Sequence, residues 1–489
     1  MPMGARTPGD LEPLFPDRDS AEPLVRQVAR RLREAIESGL YQPATRLLPQ
    51  RDLAQRLGLS RNTIATAIQQ LVAEGYLEAR VGAGTFIAAG VVKPPAAASR
   101  EPRSLPARAK RFAAAEDRLE GTLGEGPLRG GIPDVAEFPF SAWLRIARRK
   151  LTPTYWGYRD AQGDPDLRRA IVQHVQQLRG VSADPDRVIV VEGTQAALRL
   201  AADVLLSEGD RVVVEDPCYQ FARSGLEAWG MRLIPARVDA DGVDVRHAGR
   251  ASLAYVTPSH QFPLGVRMSR KRRDALLTWA REHDAYVLED DYDSEFWYDE
   301  RPLPALQSID RDERVLYVGS FSKTLAPGLR VGYLIVPRHL AKSFALARVL
   351  ATLGMNQHVQ ATLAEFIAAG HYARHVHRMT AAYGERRRAL IALLQKPLAR
   401  AGFTLSAGSG GLNVSLVGPP EFDDVAVAKT LVARGIRLQP LSAFCIERTD
   451  CRGFVVGYGA EPLPQVLRAA RDVVAAIEQH AGRGTTGAG

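Results

Sequence analysis

The stretch that decides the fold of this 489-residue chain is Val315-Leu-Tyr-Val-Gly-Ser-Phe-Ser-Lys323-Thr-Leu-Ala-Pro-Gly-Leu-Arg330. An apolar run typical of a buried strand leads into two serines and a lysine, and an arginine follows seven residues later. A lysine buried just past a strand end can have a lowered pKa, which lets it attack an aldehyde and form an internal aldimine. The hydroxyls of Ser320 and Ser322 and the guanidinium of Arg330 suit a phosphate. The stretch therefore predicts an aldehyde-binding lysine beside a phosphate site.

Short apolar runs alternate with helical stretches over residues 119–480, and this pattern predicts an α/β fold with a mostly parallel, buried sheet. After about residue 395 the pattern indicates a smaller α+β region, with Gly408–Gly411 and a late strand at Phe454–Val456. The predicted strands of the large sheet are Val188–Val191, Arg211–Val214, Ser252–Val256, Tyr286–Leu288 and Val315–Val318.

Several polar residues follow these strands, and open α/β sheets bind ligands at the carboxyl ends of their strands. Gly193-Thr194-Gln195 opens a helix whose backbone N–H groups can cradle a phosphate. Asp290 follows a strand and can keep a pyridine nitrogen protonated. Tyr292 can donate to a ring oxygen, and Tyr219 can stack on the ring. With Lys323, these residues predict a site for pyridoxal 5′-phosphate (PLP).

Each of these residues taken singly has an ordinary structural explanation. A lysine after Ser-Phe-Ser is usually a surface lysine, and a loop tyrosine usually packs. The acidic run Glu289-Asp-Asp-Tyr-Asp293 is usually a solvated loop or a metal site, but no His or Cys cluster accompanies it, so no metal is predicted. Their occurrence together at strand ends favours the cofactor site.

The N-terminal region predicts a helix–turn–helix followed by a β-hairpin wing. A first helix lies within residues 21–40, a second covers Asp52–Leu57, and Ser60 caps a third that ends at Gly75. Tyr76–Arg80 and Thr85–Ile87 form the two strands of the wing. The apolar helix positions that should form the core are Val25, Val28, Leu32, Ile36, Ile64, Ile68 and Leu71.

The second helix of such a motif enters the major groove of DNA with its N-terminal side chains. Arg61 offers a fork for guanine or phosphate, Asn62 can pair with adenine, and Ser60 and Thr63 suit phosphate. Taken alone, the same four residues fit a capped, solvated helix start equally well. Further contacts to the DNA backbone or minor groove are expected from Arg46, Arg51, Gly82 and Gly84.

Two family resemblances support these interpretations. Residues 21–88, and above all the string from Leu53 to Ile87, resemble the winged helix of GntR-type bacterial regulators. The chain departs from that family at Leu48-Pro-Gln50, where Pro-Ser-Ser is usual. Residues 119–480 resemble fold type I aminotransferases, and the motif Tyr255-Val-Thr-Pro-Ser-His-Gln-Phe-Pro-Leu-Gly265 narrows the resemblance. Together the two halves are similar to the MocR/GabR subfamily.

The resemblance implies that Lys323 carries the PLP aldimine and that Ser320, Ser322 and Arg330 face the phosphate. It also implies a head-to-tail homodimer in which Tyr158 reaches the partner's phosphate. His260 and Gln261 would line the site. Arg452 stands five residues before Gly457, the spacing at which the related aminotransferases carry a carboxylate-binding arginine, so the resemblance implies an effector contact. A surface arginine near Cys451 is the alternative. Phe221 occupies a position where the GABA-responsive relative has arginine, so GABA is doubtful as the effector.

Composition bounds the rest. Net charge is +9, and residues 91–115 carry six Lys and Arg against one Asp or Glu, which fits a tether near DNA. Three scattered cysteines favour a reducing cytoplasm, and no signal peptide or membrane span is visible. The expected organisation is a disordered N-terminus over 1–20, a winged helix over 21–88, a linker over 89–118, an aminotransferase-like domain over 119–480 and a disordered tail over 481–489.

Three functions are consistent with these features. The first is a transcription regulator that senses an amine, an amino acid or PLP itself through an aldimine at Lys323, and thereby repositions its DNA-binding domains. The second is an aminotransferase with a DNA-binding appendage, and the third is a DNA-binding dimer whose large domain only dimerises. The wing and the linker favour the regulator, with residual half-transamination possible.

Overall fold

The computed structural model describes residues 11–89, 104–119, 126–299 and 303–484. The chain forms two compact units, Met1–Ser104 and Leu105–Gly489. The predictions for residues 1–10, 90–103 and 485–489 lie outside the described residues. Within the described ranges, no helix has both the length and the apolar character that crossing a bilayer requires.

The first unit contains three helices and a two-stranded antiparallel hairpin, which confirms the winged helix–turn–helix. Ser60 caps the third helix, since its Oγ accepts from Thr63 N at 3.1 Å. Gly58 ends the second helix in the left-handed conformation, with φ of 64°. The predicted core positions are buried except Val25, which packs against them. The elements are α1 (Leu24–Glu37), α2 (Gln50–Leu57), α3 (Arg61–Ala73), β1 (Leu77–Arg80) and β2 (Gly84–Ile87), preceded by a 3-10 turn at Glu12–Leu14.

The expectation of a disordered segment over 1–20 is wrong for residues 11–20. Leu11 and Leu14 are buried in the core of the first unit. Gln27 of α1 is also buried, and its side-chain amide donates to the carbonyl oxygens of Asp17 and Glu22 at 2.9 and 2.7 Å. The segment is ordered because it covers apolar surface that the three helices leave open.

The second unit is built on an eight-stranded sheet in the order β3-β10-β9-β8-β7-β4-β5-β6. The pairs joining β9, β8, β7, β4 and β5 are parallel, whereas β10 runs antiparallel to β3 and β9. The strands are β3 (Val188–Val191), β4 (Arg211–Asp216), β5 (Arg232–Asp239), β6 (Gly242–Val243), β7 (Leu253–Val256), β8 (Tyr286–Asp291), β9 (Val315–Ser320) and β10 (Gly332–Ile335).

Helices cover both faces of this sheet, so β3, β7 and β9 are buried throughout, and their sequences are largely continuous apolar runs. This confirms the predicted α/β class. The helices are α4 (Ala107–Ala113), α5 (Glu116–Leu119), α6 (Phe140–Lys150), α7 (Pro165–Arg179), α8 (Thr194–Leu205), α9 (Gln220–Ala228), α10 (Arg270–Glu282), α11 (Leu306–Ile309), α12 (Ala341–Thr352), α13 (Gln357–Ala368), α14 (His371–Arg400), α15 (Asp424–Val432) and α16 (Leu463–Gly484).

A smaller antiparallel sheet follows, in the order β11-β12-β14-β13. It packs with α14, α15 and α16 around one apolar core. The predicted start of this region, at about residue 395, falls inside α14 and is too late. Residues of that helix from Met379 to Leu398 already face the small core. The strands are β11 (Thr404–Ser406), β12 (Asn413–Gly418), β13 (Gln439–Pro440) and β14 (Arg452–Gly457).

Two predicted boundaries need correction. The linker was expected to extend to 118, but α4 and α5 within it pack against α9. Arg111 Nε donates to Ala228 O at 3.2 Å, and Arg118 pairs with Glu227 at 2.5 Å. The tail was expected to begin at 481, but α16 continues to Gly484. In both places the sequence composition changes at a point that does not coincide with the end of helical structure.

Candidate functional site

A cavity of about 350 Å³ lies at the carboxyl ends of β3, β4, β7, β8 and β9. Residues from five separate strand ends reach it because parallel strands place those ends at one edge of the sheet. Most of the predicted cofactor residues line its wall. These are Thr194, Gln195, Tyr219, Asp290, Tyr292, Ser320, Ser322, Lys323 and Arg330, together with Gly193.

Asp290 forms the floor of the cavity as a buried carboxylate. Tyr255 Oη, at the end of the neighbouring strand β7, donates to its Oδ2 at 2.7 Å. The other oxygen, Oδ1, is buried and has no hydrogen-bond partner among the described residues. Burial raises the pKa of Asp290 to about 7, although the Tyr255 hydroxyl and the Lys323 ammonium oppose the shift. An acceptor so placed suits a cationic N–H group.

Lys323 lies just past β9, and its amine faces the cavity. Burial lowers the pKa of Lys323, and the nearby Arg129 adds to the effect, whereas Asp293 and Asp290 oppose it. A lowered pKa increases the fraction of neutral amine, the form with a free electron pair. The backbone of Gly131 passes close to this amine, since a Cβ at that position would lie 3.3 Å from Lys323 Nζ.

Groups suited to a phosphate also line the cavity. Helix α8 begins there at Thr194, and no side chain caps its N-terminus. Gly193 has a φ of 111°, and a Cβ on it would lie 3.7 Å from the Arg330 guanidinium. Ser320 Oγ accepts from Ser322 N at 3.1 Å. Backbone N–H groups, two hydroxyls and one guanidinium are the donors that a phosphate dianion requires.

Aromatic rings form another part of the cavity wall. The Tyr219 and Phe262 rings meet edge to face at 5.8 Å, and Phe262 also meets Tyr292 edge to face at 5.9 Å. Phe221 and Phe444 complete this part of the wall. The rings form a slot with an apolar side, suited to a flat heteroaromatic ligand.

This donor set fits PLP at each of its functional groups. The unpartnered Oδ1 of Asp290 matches a protonated ring nitrogen, the Lys323 amine matches the aldehyde, and the α8 N-terminus with Arg330 matches the phosphate. Tyr292 Oη donates to His260 O at 3.0 Å and lines the cavity, within the wall that a ring oxygen would face.

His260 does not line the cavity, contrary to the prediction. It is buried behind Tyr292, with Nδ1 3.0 Å from Tyr292 Oη and 3.2 Å from Asp293 Oδ2. Glycines pack around its ring, so that a Cβ on Gly265 or Gly408 would lie 3.1 Å from its Nε2. Gln261 is also turned away, because its amide donates to Glu215 and to backbone carbonyls. Both residues support the wall from behind.

Arg452 is also absent from the cavity wall, and its expected contact with an effector carboxylate stays a prediction. It opens β14 and lies 3.6 Å from the buried Asp424 carboxylate. Gly457, at the other end of the same strand, is the residue that touches the Arg129 backbone beside the cavity. A strand rises about 3.3 Å per residue, so the five-residue spacing places Arg452 at the far end.

Tyr158 lies outside the cavity wall of its own chain. Its side chain is 90% exposed, and the neighbouring Trp156 is 74% exposed. The expectation that Tyr158 reaches the phosphate of a partner chain stays a prediction.

The acidic run on β8 forms neither a solvated loop nor a shared site. Glu289 accepts from the backbone N–H groups of Leu306 and Gln307, and Asp291 accepts from Arg179 Nε at 2.8 Å. Glu289 and Asp291 point to one face of the sheet and Asp290, between them, points to the other. Each of the three carboxylates has its own partners.

Some residues of the cavity wall were not predicted from the sequence, namely Tyr255, the stretch Arg129–Ile132 and Phe444. Tyr255 was quoted within a motif, and its place at the end of a strand next to Asp290 was a usable signal. The other residues come from segments distant in sequence, and no periodicity or motif marks them.

In the first unit, most of the predicted DNA-binding residues are exposed, and Thr63 is half-buried. Arg61 and Asn62 are exposed in the first turn of α3, and Arg51 is exposed on α2. Arg46 reaches the wing, since a Cβ on Gly84 would lie 2.9 Å from its Nε. The Ser60 hydroxyl is 2.8 Å from Thr63 Oγ1, so these two side chains also cap the helix.

Comparison with known proteins agrees with both units. Residues 24–87 match the family of bacterial regulatory proteins of the gntR family, and residues 128–455 match aminotransferase class I and II. The probable rhizopine catabolism regulatory protein MocR of Rhizobium meliloti is 37% identical over 460 residues, covering 91% of this chain and 92% of that protein.

Two further proteins illustrate the range of relatives. The HTH-type pyridoxine biosynthesis transcriptional regulator PdxR of Corynebacterium glutamicum is 32% identical, covering 89% of this chain and 91% of that protein. The crystal structure of the multiple substrate aminotransferase from Thermococcus profundus superposes with a TM-score of 0.68 at 26% identity, covering 78% of this chain and 97% of that one.

The protein is thus a transcription regulator of the helix–turn–helix class that carries an aminotransferase-like domain. It belongs to the MocR/GabR subfamily of GntR-type regulators. The regulators match nearly the whole chain, whereas the aminotransferase matches only the second unit, which favours regulation over the enzyme with a DNA-binding appendage.

The raised pKa of Asp290 gives a test in the cofactor-free protein. The folded chain keeps a proton that the unfolded chain releases between pH 4 and 7, so this group's contribution to the free energy of unfolding falls as pH rises through that window. Asp290→Asn removes this loss, on the order of 4 kcal/mol at most. Melting temperatures should therefore favour the variant more at about pH 8 than at about pH 5.

The matched control is Asp186→Asn, whose side chain is 95% exposed. Its melting temperature relative to the unsubstituted protein should not change over the same pH range. A pH-independent difference for Asp290→Asn would contradict the assigned pKa.

Proposed function

We propose that this protein is a PLP-dependent regulator, in which the cavity binds PLP through Lys323 and responds to an amine, an amino acid or PLP itself. The observation that carries the proposal is that two groups line the same cavity. One is the buried Oδ1 of Asp290, which has no hydrogen-bond partner among the described residues, and the other is Lys323, whose pKa is lowered. PLP supplies an aldehyde that condenses reversibly with primary amines.

The chain's own residues then have separate tasks. Asp290 holds the proton of the ring nitrogen, and Tyr255 orients that carboxylate through its 2.7 Å hydrogen bond. The α8 N-terminus and Arg330 hold the phosphate, and the aromatic wall excludes water. Lys323 provides the amine that a competing amine can displace, which gives the domain two chemically distinct states.

The cavity wall also contains residues other than those assigned to the cofactor, and these residues restrict which signal molecule can bind. Phe221, Phe262 and Phe444 form an apolar face, and Arg452 is not among the residues that line the cavity. This favours an amine with an apolar body, or PLP itself, over a ligand recognised by Arg452. The similarity to a regulator of pyridoxine biosynthesis supports the second possibility.

DNA recognition is assigned to the first turn of α3, with the wing as a second contact. Arg61 and Asn62 are exposed in that turn, so their side chains are accessible to DNA. As a DNA-binding regulator, the protein would act in the cytoplasm, where the DNA lies.

A homodimer is supported by apolar residues that the single chain leaves exposed. Leu346, Leu350 and Leu353, on α12 and at its C-terminal end, are between 59% and 80% exposed. The end of α12 lies near the segment of Tyr158, since a Cβ on Gly354 would lie 3.5 Å from Ala161 Cα. A continuous apolar surface of this kind marks an interface, and it would bring Tyr158 towards a partner.

Lys323→Ala should abolish the amine-sensitive visible absorbance of the PLP-loaded protein, because the wall then lacks its amine. In the unsubstituted protein, borohydride reduction followed by peptide mass spectrometry should place the pyridoxyl group on Lys323. Lys342→Ala, which removes an exposed lysine of α12, is the control and should behave as the unsubstituted protein. A pyridoxyl group on another lysine, or none, would refute the assignment.

Arg61→Ala should weaken binding to a duplex selected from random sequences with the unsubstituted protein. A lost base or phosphate fork costs about 1–3 kcal/mol, or roughly 5- to 150-fold in Kd. Fluorescence anisotropy at fixed salt measures the change. Arg26→Ala removes the same charge from the exposed side of α1 and should change Kd little. Equal losses in the two variants would assign the effect to net charge alone.

Leu350→Asp should shift the sedimentation coefficient from dimer to monomer, because it buries a charge in the proposed interface. Val425→Asp adds the same charge at a 41% exposed apolar position on α15 and should leave the dimer intact. A dimer that survives Leu350→Asp would place the interface elsewhere.

A further inference from the structure

All three cysteines of the chain meet at one place beside the cavity, although they are far apart in sequence. Cys218 precedes the wall residue Tyr219, and its N–H donates to Phe444 O at 3.0 Å. Cys445 follows the wall residue Phe444 directly. Cys451 is buried in the core cluster that contains Phe444. The function proposed above uses none of these thiols.

Cys445 and Cys451 are the closest pair. Cys445 Sγ lies 3.5 Å from Leu441 O and 4.0 Å from Cys451 O. The interaction between the two thiols raises the pKa of Cys445 and lowers the pKa of Cys451, and the guanidinium of Arg448 acts to lower both pKa values. Cys445 is partly exposed and Cys451 is 2% exposed, so an oxidant reaches the pair through Cys445.

The loop between these cysteines is fastened to the strand end that carries Tyr219. The backbone N–H groups of Ile446, Glu447 and Arg448 all donate to the carboxylate of Asp216, at 2.9, 2.9 and 3.0 Å. Arg223 NH1 donates to the Cys445 carbonyl at 2.8 Å. We call residues 445–448 with Asp216 the clasp. A change at Cys445 acts directly on one end of it.

We propose that Cys445 and Cys451 form a reversible disulfide that opens the clasp and alters the cavity wall at Phe444. With a peroxide as oxidant, one thiolate attacks a peroxide oxygen, the O–O bond breaks, and a sulfenic acid and one water form. The second thiol attacks that sulfur, the S–S bond forms, the S–O bond breaks, and a second water leaves. Thiol reductants reverse the reaction.

Closure of the bond requires movement at the clasp. Both cysteines are free thiols, so their sulfur atoms lie farther apart than the roughly 2.05 Å of a disulfide. Cys451 is fixed by the start of β14 and by burial, whereas Cys445 is partly exposed. The displacement therefore falls on Cys445 and on the adjoining amides held by Asp216.

The first test maps the bond in the full-length protein after treatment with hydrogen peroxide. Titratable thiols should fall from three to one. Trypsin cleaves after Arg437, Arg448 and Arg452, so peptides 438–448 and 449–452 should appear linked by a disulfide. Dithiothreitol should separate them. Cys451→Ser and Cys445→Ser should each yield no such linked pair, and an unlinked pair in the oxidised unsubstituted protein would overturn the proposal.

The second test measures hydrogen exchange of the clasp, which needs no cofactor. The amides of residues 446–448 should exchange roughly tenfold faster or more in the oxidised protein, as expected when protected hydrogen bonds open locally. Amides of α15 should be unchanged, and Cys451→Ser should show no effect of peroxide. Equal exchange of residues 446–448 in the oxidised and reduced protein would overturn the link between the disulfide and the wall.

Discussion

A buried carboxylate with one free oxygen is the constraint on which the second unit depends. Asp290 is buried in the large sheet, where an unpaired charge costs several kcal/mol. Tyr255 satisfies one oxygen at 2.7 Å, and Lys323 opposes the raised pKa without pairing with it. A residue so costly to the empty fold is explained by a cationic ligand group that completes it.

The rest of the cavity follows from strand topology. Parallel strands bring the α8 N-terminus, the turn after β4 and the Lys323 segment to one edge, so that groups distant in sequence surround one small volume. The same edge places all three cysteines beside the wall. Lys323 therefore faces a cavity whose wall also contains the aromatic slot and Phe444, the residue that precedes the clasp.

Much of this architecture was predictable from sequence, for identifiable reasons. Buried parallel strands are continuous apolar runs, and strand-end residues such as Asp290 and Lys323 share an edge whatever the loop lengths. A sequence pattern does not show whether a residue lines a cavity or lies behind its wall. His260 was therefore expected to line the site, although it lies behind Tyr292. The position of Arg452 outside the cavity wall was not predictable, because counting residues along β14 does not show which end of the strand meets the cavity. Leu11 and Leu14 were missed because a polar, proline-containing segment conceals two apolar contacts.

The central claim is that the chemical state of Lys323 and the affinity for DNA are coupled. The most direct measurement is the Kd for the selected duplex at rising PLP, and then at saturating PLP with a panel of primary amines and amino acids. Coupling between sites is reciprocal, so at least one of these titrations should shift Kd, by roughly 5- to 150-fold for an ordinary coupling energy. The shift should vanish in Lys323→Ala. A Kd unaffected by PLP and by every amine would contradict the account and leave the large unit as a dimerising scaffold.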